Sequence, residues 1–335
     1  MEHLKTDCFA VDSLTDGGLA TGTVTQIFGE KALGKSILSF QACCSVSASG
    51  GSAIILDTEQ SYPGYLLPYW RERMPGRFGK EFAVAEVTLE KAPKVSPRKK
   101  PVTRGQLITA MDAALGSLGV SYTDAHLRAA ADIFSPDYAV ELPSKGPSVL
   151  VLQVPEVSAL LHLHGIDASV EVSSGGRTEL RMRQTPTYQS ALRHIVQETG
   201  AKLLVYDSIS APFKAAFPST QDLPARSSGL AMLLAHAQRL CVDFGIAVLV
   251  TSHVSIDPIN PWDRVPYGGV IIGHDAKFSL ELTRANASRN KDGDPSPLNP
   301  DERGAANKAF WAARHPALEE YTRYAYARQD DEGFH

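Results

Sequence analysis

The chain has 335 residues, 43% of them hydrophobic and 21% charged, enough apolar material to fill one large core or two smaller ones in an ordinary globular protein. Its formal net charge of -4 at pH 7 excludes an overall basic character, so any contact with nucleic acid has to come from a local patch. No run approaches the roughly 18 apolar residues of a membrane helix, and Met1-Glu2-His3-Leu4-Lys5 lacks the order of a secretory signal, so a cytoplasmic location without a membrane partner is expected.

The first element is a strand, Thr23-Val24-Thr25-Gln26-Ile27-Phe28, β-branched and apolar. It runs into Gly29-Glu30-Lys31-Ala32-Leu33-Gly34-Lys35-Ser36, and from Ile37 the apolar spacing becomes helical. After the turn Ser49-Gly50-Gly51-Ser52 comes Ala53-Ile54-Ile55-Leu56-Asp57, a continuous apolar run of the kind buried in parallel sheets. The pattern then changes. Residues 91–104 are rich in Pro, Lys and Arg and read as a linker, and two short helices are expected over 105–118 and 124–134, the second with Thr123 as N-cap. A strand over 148–154, a helix over 155–164 and a hairpin over 168–183 turning at Ser173-Ser174-Gly175-Gly176 complete this stretch. The alternation resumes with a helix over 188–199, a strand over 201–207, a helix over 229–244 and a strand over 246–251. Residues 286–303, rich in Asn, Asp, Pro and Gly, are the one candidate for disorder.

Alternating strands and helices imply an α/β fold with a mostly parallel sheet flanked by helices. The expected division is a core formed by residues 1–76 and 186–335, interrupted over 77–185 by an inserted α+β subdomain with a basic linker. Cys8, Cys43, Cys44 and Cys241 fit neither a disulfide framework nor the usual zinc spacings and are read as small buried hydrophobes. His162 and His164, two apart in an apolar segment with no third ligand in view, are read as satisfied core residues.

The segment from Gly29 to Ser36 has the P-loop pattern. Its glycines let backbone N–H groups turn onto phosphate oxygens, Lys35 reaches the β- and γ-phosphates, and Ser36 ligates Mg2+. An acid at the end of a neighbouring buried strand is needed to hold the ion's water shell, and Asp207 is the best placed. Glu59, just past the second strand, is placed to orient or deprotonate an attacking water, a task Asp57 could share. His253 lies just beyond the strand over 246–251, at the edge where ligands of open α/β folds bind.

Several blocks in order resemble the ATPase core of the RecA-fold recombinases, especially the archaeal RadA and RadB group. Residues 17–29 are similar to the entry into that core, Leu56-Asp57-Thr58-Glu59 to the strand carrying the family's catalytic glutamate, and Leu204-Val205-Tyr206-Asp207-Ser208-Ile209 to its Walker B strand. Phe213-Lys214-Ala215-Ala216-Phe217-Pro218 with Leu223-Pro224-Ala225-Arg226 resembles the segments bordering the first DNA-binding loop. Leu249-Val250-Thr251-Ser252-His253-Val254 and Gly268-Gly269-Val270-Ile271-Ile272-Gly273-His274 are similar to the γ-phosphate sensor strand and the far side of the second loop. The resemblance spans about two-thirds of the chain. It implies a RecA-like fold that binds ATP and Mg2+ through residues 29–37. Lys35, Glu59 and His253 are the implied catalytic set, Ser36 and Asp207 the implied metal ligands, and the implied activity is a DNA-dependent ATPase assisting recombination and repair.

The departures bear on partners. The core begins almost at the first residue, so the small N-terminal DNA-binding domain of RadA is expected to be missing, which points to a RadB-like paralogue. His253 stands where relatives usually carry an amide. Ser219 and Thr220 stand where recombinases place a glycine and an arginine, removing a phosphate-pairing charge. The second loop, residues 254–270, holds Arg264 with Trp262 and Tyr267, readable as a base-stacking surface or as a proline-pinned loop with buried aromatics. Arg98, Lys99 and Lys100 concentrate charge with Lys91, Lys94 and Arg104, in what reads as a solvated linker that could also replace lost DNA contacts. Single-stranded DNA, through Arg226, Arg264, Arg98, Lys99 and Lys100, is the expected partner, with a recombinase or a second copy of the chain beside it. Two further readings remain open at this point: a signalling ATPase of the KaiC type, and an adaptor that holds ATP without turnover.

Overall fold

The computed structural model describes residues 2–62, 83–88, 147–172, 178–184, 190–256, 264–267, 272, 276–285, 306–317, 323–330 and 333–335. Beside a short antiparallel ladder of His3–Leu4 (β1) with Leu19–Ala20 (β2), its framework is built from the apolar runs. Val24–Gly29 (β3), Ser52–Asp57 (β4), Ser148–Gln153 (β6), Ala201–Asp207 (β9) and Ala247–Ile256 (β10) join one large sheet. Ala83–Thr88 (β5), Phe278–Arg284 (β12), Lys308–Arg314 (β13) and Tyr324–Ala327 (β14) complete its order, β14-β13-β12-β3-β10-β9-β4-β6-β5. The seven strands from β12 to β5 are parallel, and β13 and β14 add an antiparallel edge.

Side chains alternate across these strands, so each run feeds two cores. Ala53 and Ile55, Val149 and Val151, and Leu203 and Val205 face one cluster, while Ile54 and Leu56, Leu150 and Leu152, and Leu204 and Tyr206 face the other. The first cluster is covered by helices Phe9–Leu14 (α1) and Lys35–Ala48 (α2). The second is covered by Val157–Leu163 (α3), Ala191–Thr199 (α4), Ala211–Ala216 (α5) and Leu223–Phe244 (α6). Burial on both faces is why these strands are continuous apolar runs rather than alternating ones. The four cysteines are reduced and buried, packing as small hydrophobes.

Polar side chains pin the frame where they are buried. Gln26 on β3 donates to Ser252 Oγ on β10 at 3.0 Å and accepts from Ser279 on β12 at 2.8 Å, bridging three strands. Gln41, fully buried in α2, donates to the carbonyls of Asp7 and Phe334 at 2.8 and 2.9 Å and accepts the Phe334 N–H at 2.6 Å. It thereby ties the helix to Gly333–Phe334 (β16), which pairs with Gln329–Asp330 (β15).

The structure corrects the expected division of the chain. β5 and β6, inside the stretch assigned to an inserted subdomain, are strands of the main sheet: β6 pairs β4 and β5 in parallel, and α3 packs into the second core cluster. The apolar run of β6 is what a central parallel strand requires, and a local reading had no means of assigning it to the main sheet. Within that stretch Ile166–Val172 (β7) and Thr178–Gln184 (β8) form the expected hairpin. The basic stretch with Arg98, Lys99 and Lys100, the helices expected over 105–118 and 124–134, and the segment 286–303 lie outside the described residues. Two bounds also differ. α6 starts at Leu223, because Pro224 is tolerated in a first helical turn, and β10 runs on to Ile256 because Arg264–Pro266 (β11) zips onto it. Of the histidine pair, only His164 is core. His162 is part-exposed and accepts the Ala168 N–H at 3.1 Å.

Candidate nucleotide site

At its carboxyl end β3 turns into α2 through residues 29–36. Gly29 is pressed against β12, where a Cβ would lie 2.4 Å from the Leu282 carbonyl oxygen. Gly34 caps α2 at φ +102°, a backbone conformation that favours glycine. No side chain caps the helix, so its first N–H groups remain directed at the loop, as an anion site at a helix N-terminus requires. Lys35 is 7% exposed, and its Nζ donates to the carbonyls of Gly29 and Glu30 at 2.9 and 2.7 Å. Burial lowers its pKa, and the carboxylates of Asp207, Glu59 and Glu30 oppose that shift.

β4 and β9 end side by side, with Asp57 opposite Asp207 in the ladder. The two acids face different groups. Asp207, 4% exposed, accepts from Thr251 Oγ1 at 2.5 Å through Oδ1 and from the Tyr62 hydroxyl at 2.7 Å through Oδ2. Asp57 accepts the Ser61 and Tyr62 N–H groups at 3.0 and 3.2 Å, capping the turn after β4. Burial raises its pKa to about 6, against those two hydrogen bonds and with help from the Asp207 charge. Asp57 therefore organises a turn, and the water-activating task the sequence left open to it has no support in this geometry.

Glu59 sits at the outer end of the same turn. Its Oε1 accepts from Ser208 Oγ at 2.8 Å and is met by His253 Nε2 at 2.9 Å. The His253 hydrogen bond is the main cause holding the Glu59 pKa below its usual value, against burial and with help from Ser208. The peptide bond between Asp207 and Ser208 is cis.

An open cleft of about 690 Å³ at this sheet edge is lined by Glu30, Lys31, Thr58, Glu59, Lys214, His253 and Tyr267, among others. Against the lining residue Tyr267, the Arg226 guanidinium donates to the hydroxyl and lies 4.7 Å over the ring, with Lys214 Nζ, also in the lining, 5.3 Å over the same ring. The Tyr267 N–H donates to the His253 carbonyl at 2.6 Å, linking the second-loop segment to the end of β10. The Arg264 side chain, Trp262, Arg98, Lys99 and Lys100 lie outside what is described. In the first-loop segment Ser219 caps a short turn by accepting the Gln221 N–H.

The structure thus brings Lys35, Ser36, Glu59, Asp207 and His253 to one edge of one sheet. Among the described residues no group of three or more His, Cys, Asp and Glu side chains is arranged as a metal cage. One buried acid beside a P-loop serine instead suits Mg2+ carried in on nucleotide phosphates, which needs few protein ligands. Sequence reasoning missed Tyr62, Thr251 and Ser208. Two of them adjoin motif residues, Ser208 following Asp207 and Thr251 two before His253, but their roles depend on pairings between distant strands.

A family model described as Rad51 matches residues 1–72 and 177–291, more than half of the chain, and these ranges include Lys35, Ser36, Glu59, Asp207, Arg226 and His253. The DNA repair and recombination protein RadB of Halobacterium salinarum is 44% identical over 57 residues, 17% of this chain and 24% of that protein. DNA repair protein rhp51 of Schizosaccharomyces pombe is 34% identical over 100 residues, 29% of this chain and 27% of that protein. The human meiotic recombination protein DMC1/LIM15 homolog is 31% identical over 88 residues, 25% of this chain and 26% of that protein. The chain therefore spans about a quarter of the length of each of these relatives.

Proposed function

The chain belongs to the Rad51 family, and on that premise we propose that it is a DNA-dependent ATPase that assists homologous recombination and DNA repair. The observation that carries the reading is the convergence of Lys35, Ser36, Glu59, Asp207 and His253 at one carboxyl edge of the parallel sheet, where ligands of such folds bind. In this reading the backbone of residues 29–37 cradles the phosphates of ATP, and Lys35 supplies a positive charge beside them. Ser36 and Asp207 hold Mg2+, which when bound offsets phosphate charge and polarises the transferred group. Glu59 takes a proton from the attacking water, and His253 and Ser208 fix its carboxylate in position.

His253 also joins the nucleotide edge to the DNA side. Its carbonyl receives the Tyr267 N–H, and Tyr267 carries Arg226 and Lys214 on its ring. Single-stranded DNA along this wall would meet two cations and an aromatic ring, the combination that binds single strands without reading sequence. We place the protein in the cytoplasm, working with a recombinase partner or with further copies of itself. Among the described residues no helix is long and apolar enough to cross a membrane.

The test is ATP turnover with and without single-stranded DNA for the wild type, Lys35→Ala and Glu59→Gln. DNA stimulation that disappears in both variants, with a loss of roughly 10²–10⁴ in rate for Glu59→Gln, supports the proposal. Turnover indifferent to DNA would favour a signalling ATPase. Binding without turnover would favour an adaptor, a reading that gains from the double engagement of Glu59 by His253 and Ser208, which makes it a weaker base.

A further inference from the structure

Tyr62 is fully buried, and its ring lies 6.2 Å from that of Phe40 in the first core cluster. A phenylalanine would fill that space equally well, so the phenol hydroxyl requires its own reason: a buried hydroxyl without a partner is costly. That hydroxyl lies 2.7 Å from Asp207 Oδ2 and 3.2 Å from the Ser36 carbonyl oxygen. It therefore spans the gap between the two residues assigned above to Mg2+. Its single proton goes to the nearer partner, Asp207, leaving Ser36 with the weaker contact. With Thr251 on Oδ1 and Tyr62 on Oδ2, the Asp207 carboxylate is held at both oxygens and cannot rotate freely. Tyr62 is itself held from behind, because Asp57 accepts the N–H groups of Ser61 and Tyr62.

We propose that Tyr62 is a positioning residue for the Mg2+ end of the nucleotide site, its hydroxyl orienting Asp207 against Ser36. The proposal rests on the nucleotide reading given above. It also gives Asp57 a defined task, that of presenting Tyr62, and makes the turn after β4 a single device. Its inner residue sets the metal-holding acid, and its outer residue, Glu59, faces the water.

The experiment measures affinity for a fluorescent ATP analogue as a function of Mg2+ concentration, and again in EDTA, for the wild type and Tyr62→Phe. Groups that orient a metal ligand typically account for 10- to 100-fold in metal affinity, so the Mg2+ midpoint should rise about tenfold in Tyr62→Phe. Affinity in EDTA should stay within about twofold, because the metal-independent phosphate contacts are untouched. An unchanged midpoint overturns the proposal, as does an equal loss with and without Mg2+, which would mark Tyr62 as a packing residue. Wild-type protein that binds the analogue without regard to Mg2+ overturns the Mg2+ reading itself, and this role with it. A second measurement does not depend on the folding of a variant. 3-Fluorotyrosine at position 62 keeps ring and hydroxyl, and its fluorine resonance should shift when Mg2+ is added to the nucleotide-bound protein. No shift overturns the proposal.

Discussion

His253 Nε2 lies 2.9 Å from Glu59 Oε1 although 194 residues separate the two in sequence. The contact holds the Glu59 pKa down, and burial would push it up if the histidine were removed. A base must be ionised to work, so turnover falls as the pH drops through its folded-state pKa. In His253→Ala the acid limb of the turnover profile is therefore expected at higher pH than in the wild type. Ser208→Ala should move it the same way and less. Rates recorded between about pH 4 and pH 8 decide the matter, and coincident acid limbs would remove His253 as the group that sets Glu59's basicity.

Arg226 lies over the ring of Tyr267, which lines the cleft. If it pairs with a phosphate of single-stranded DNA, Arg226→Ala should lower the slope of log affinity against log salt by about 0.7, the contribution of one released counterion. Tyr267→Phe keeps the ring and should leave the slope unchanged. An unaltered slope in Arg226→Ala would make this arginine a strut for the second-loop segment rather than a DNA contact.

Gly29 has backbone, not a flexible side chain, in the place of its missing Cβ. Gly29→Ala should force β3 and β12 apart where Gly29 pairs with Leu282, costing roughly 1–3 kcal/mol of stability. Nucleotide affinity should fall with it, since the same residue opens the phosphate loop. Urea unfolding and analogue binding on one preparation test both, and a variant as stable as wild type would show that the ladder has more give than the 2.4 Å approach implies.

His164 is 1% exposed, bonded at Nε2 to the Tyr206 hydroxyl at 2.9 Å, and burial takes its pKa down to about 3. An unfolded histidine binds its proton near pH 6.5, so between those values the unfolded state holds more protons. Stability is then complete above about pH 6.5 and lost as the pH falls, at up to about 1.4 kcal/mol per pH unit. Asp57, raised to about 6, works the other way, since its unfolded carboxyl ionises first and favours unfolding as the pH climbs toward 6. His164→Gln keeps an acceptor for Tyr206 and removes the titration. Its stability deficit relative to wild type should therefore narrow from pH 7 to pH 5, and a constant deficit would mean that His164 is not the titrating group.

Much of the frame was legible in the sequence because burial on both faces leaves a simple signature. Ala53 to Asp57 and Leu203 to Asp207 are apolar without interruption and end in acids, and in the structure those acids stand together at the site. β5 carried no such mark, being a short run with Glu86 inside it, and β6 was legible as a strand but not as a partner of β4. Sheet order is a property of pairings between distant segments, which local composition does not encode. The same limit explains Tyr62. Phosphate loop, acid and glutamate were each visible as short patterns, but a hydroxyl whose partner lies 145 residues away gives no local signal.

The double hydrogen bond between Gln41 and the Phe334 backbone spans 293 residues and makes the last strand a dependant of the helix that begins at Lys35. In hydrogen exchange the amide proton of Phe334 should therefore be released together with those of α2, as one cooperative opening unit, rather than with its neighbours in sequence. A ligand that quiets the amino end of that helix would then slow exchange at residue 334, giving a readout of phosphate-loop occupancy that needs neither turnover nor a label.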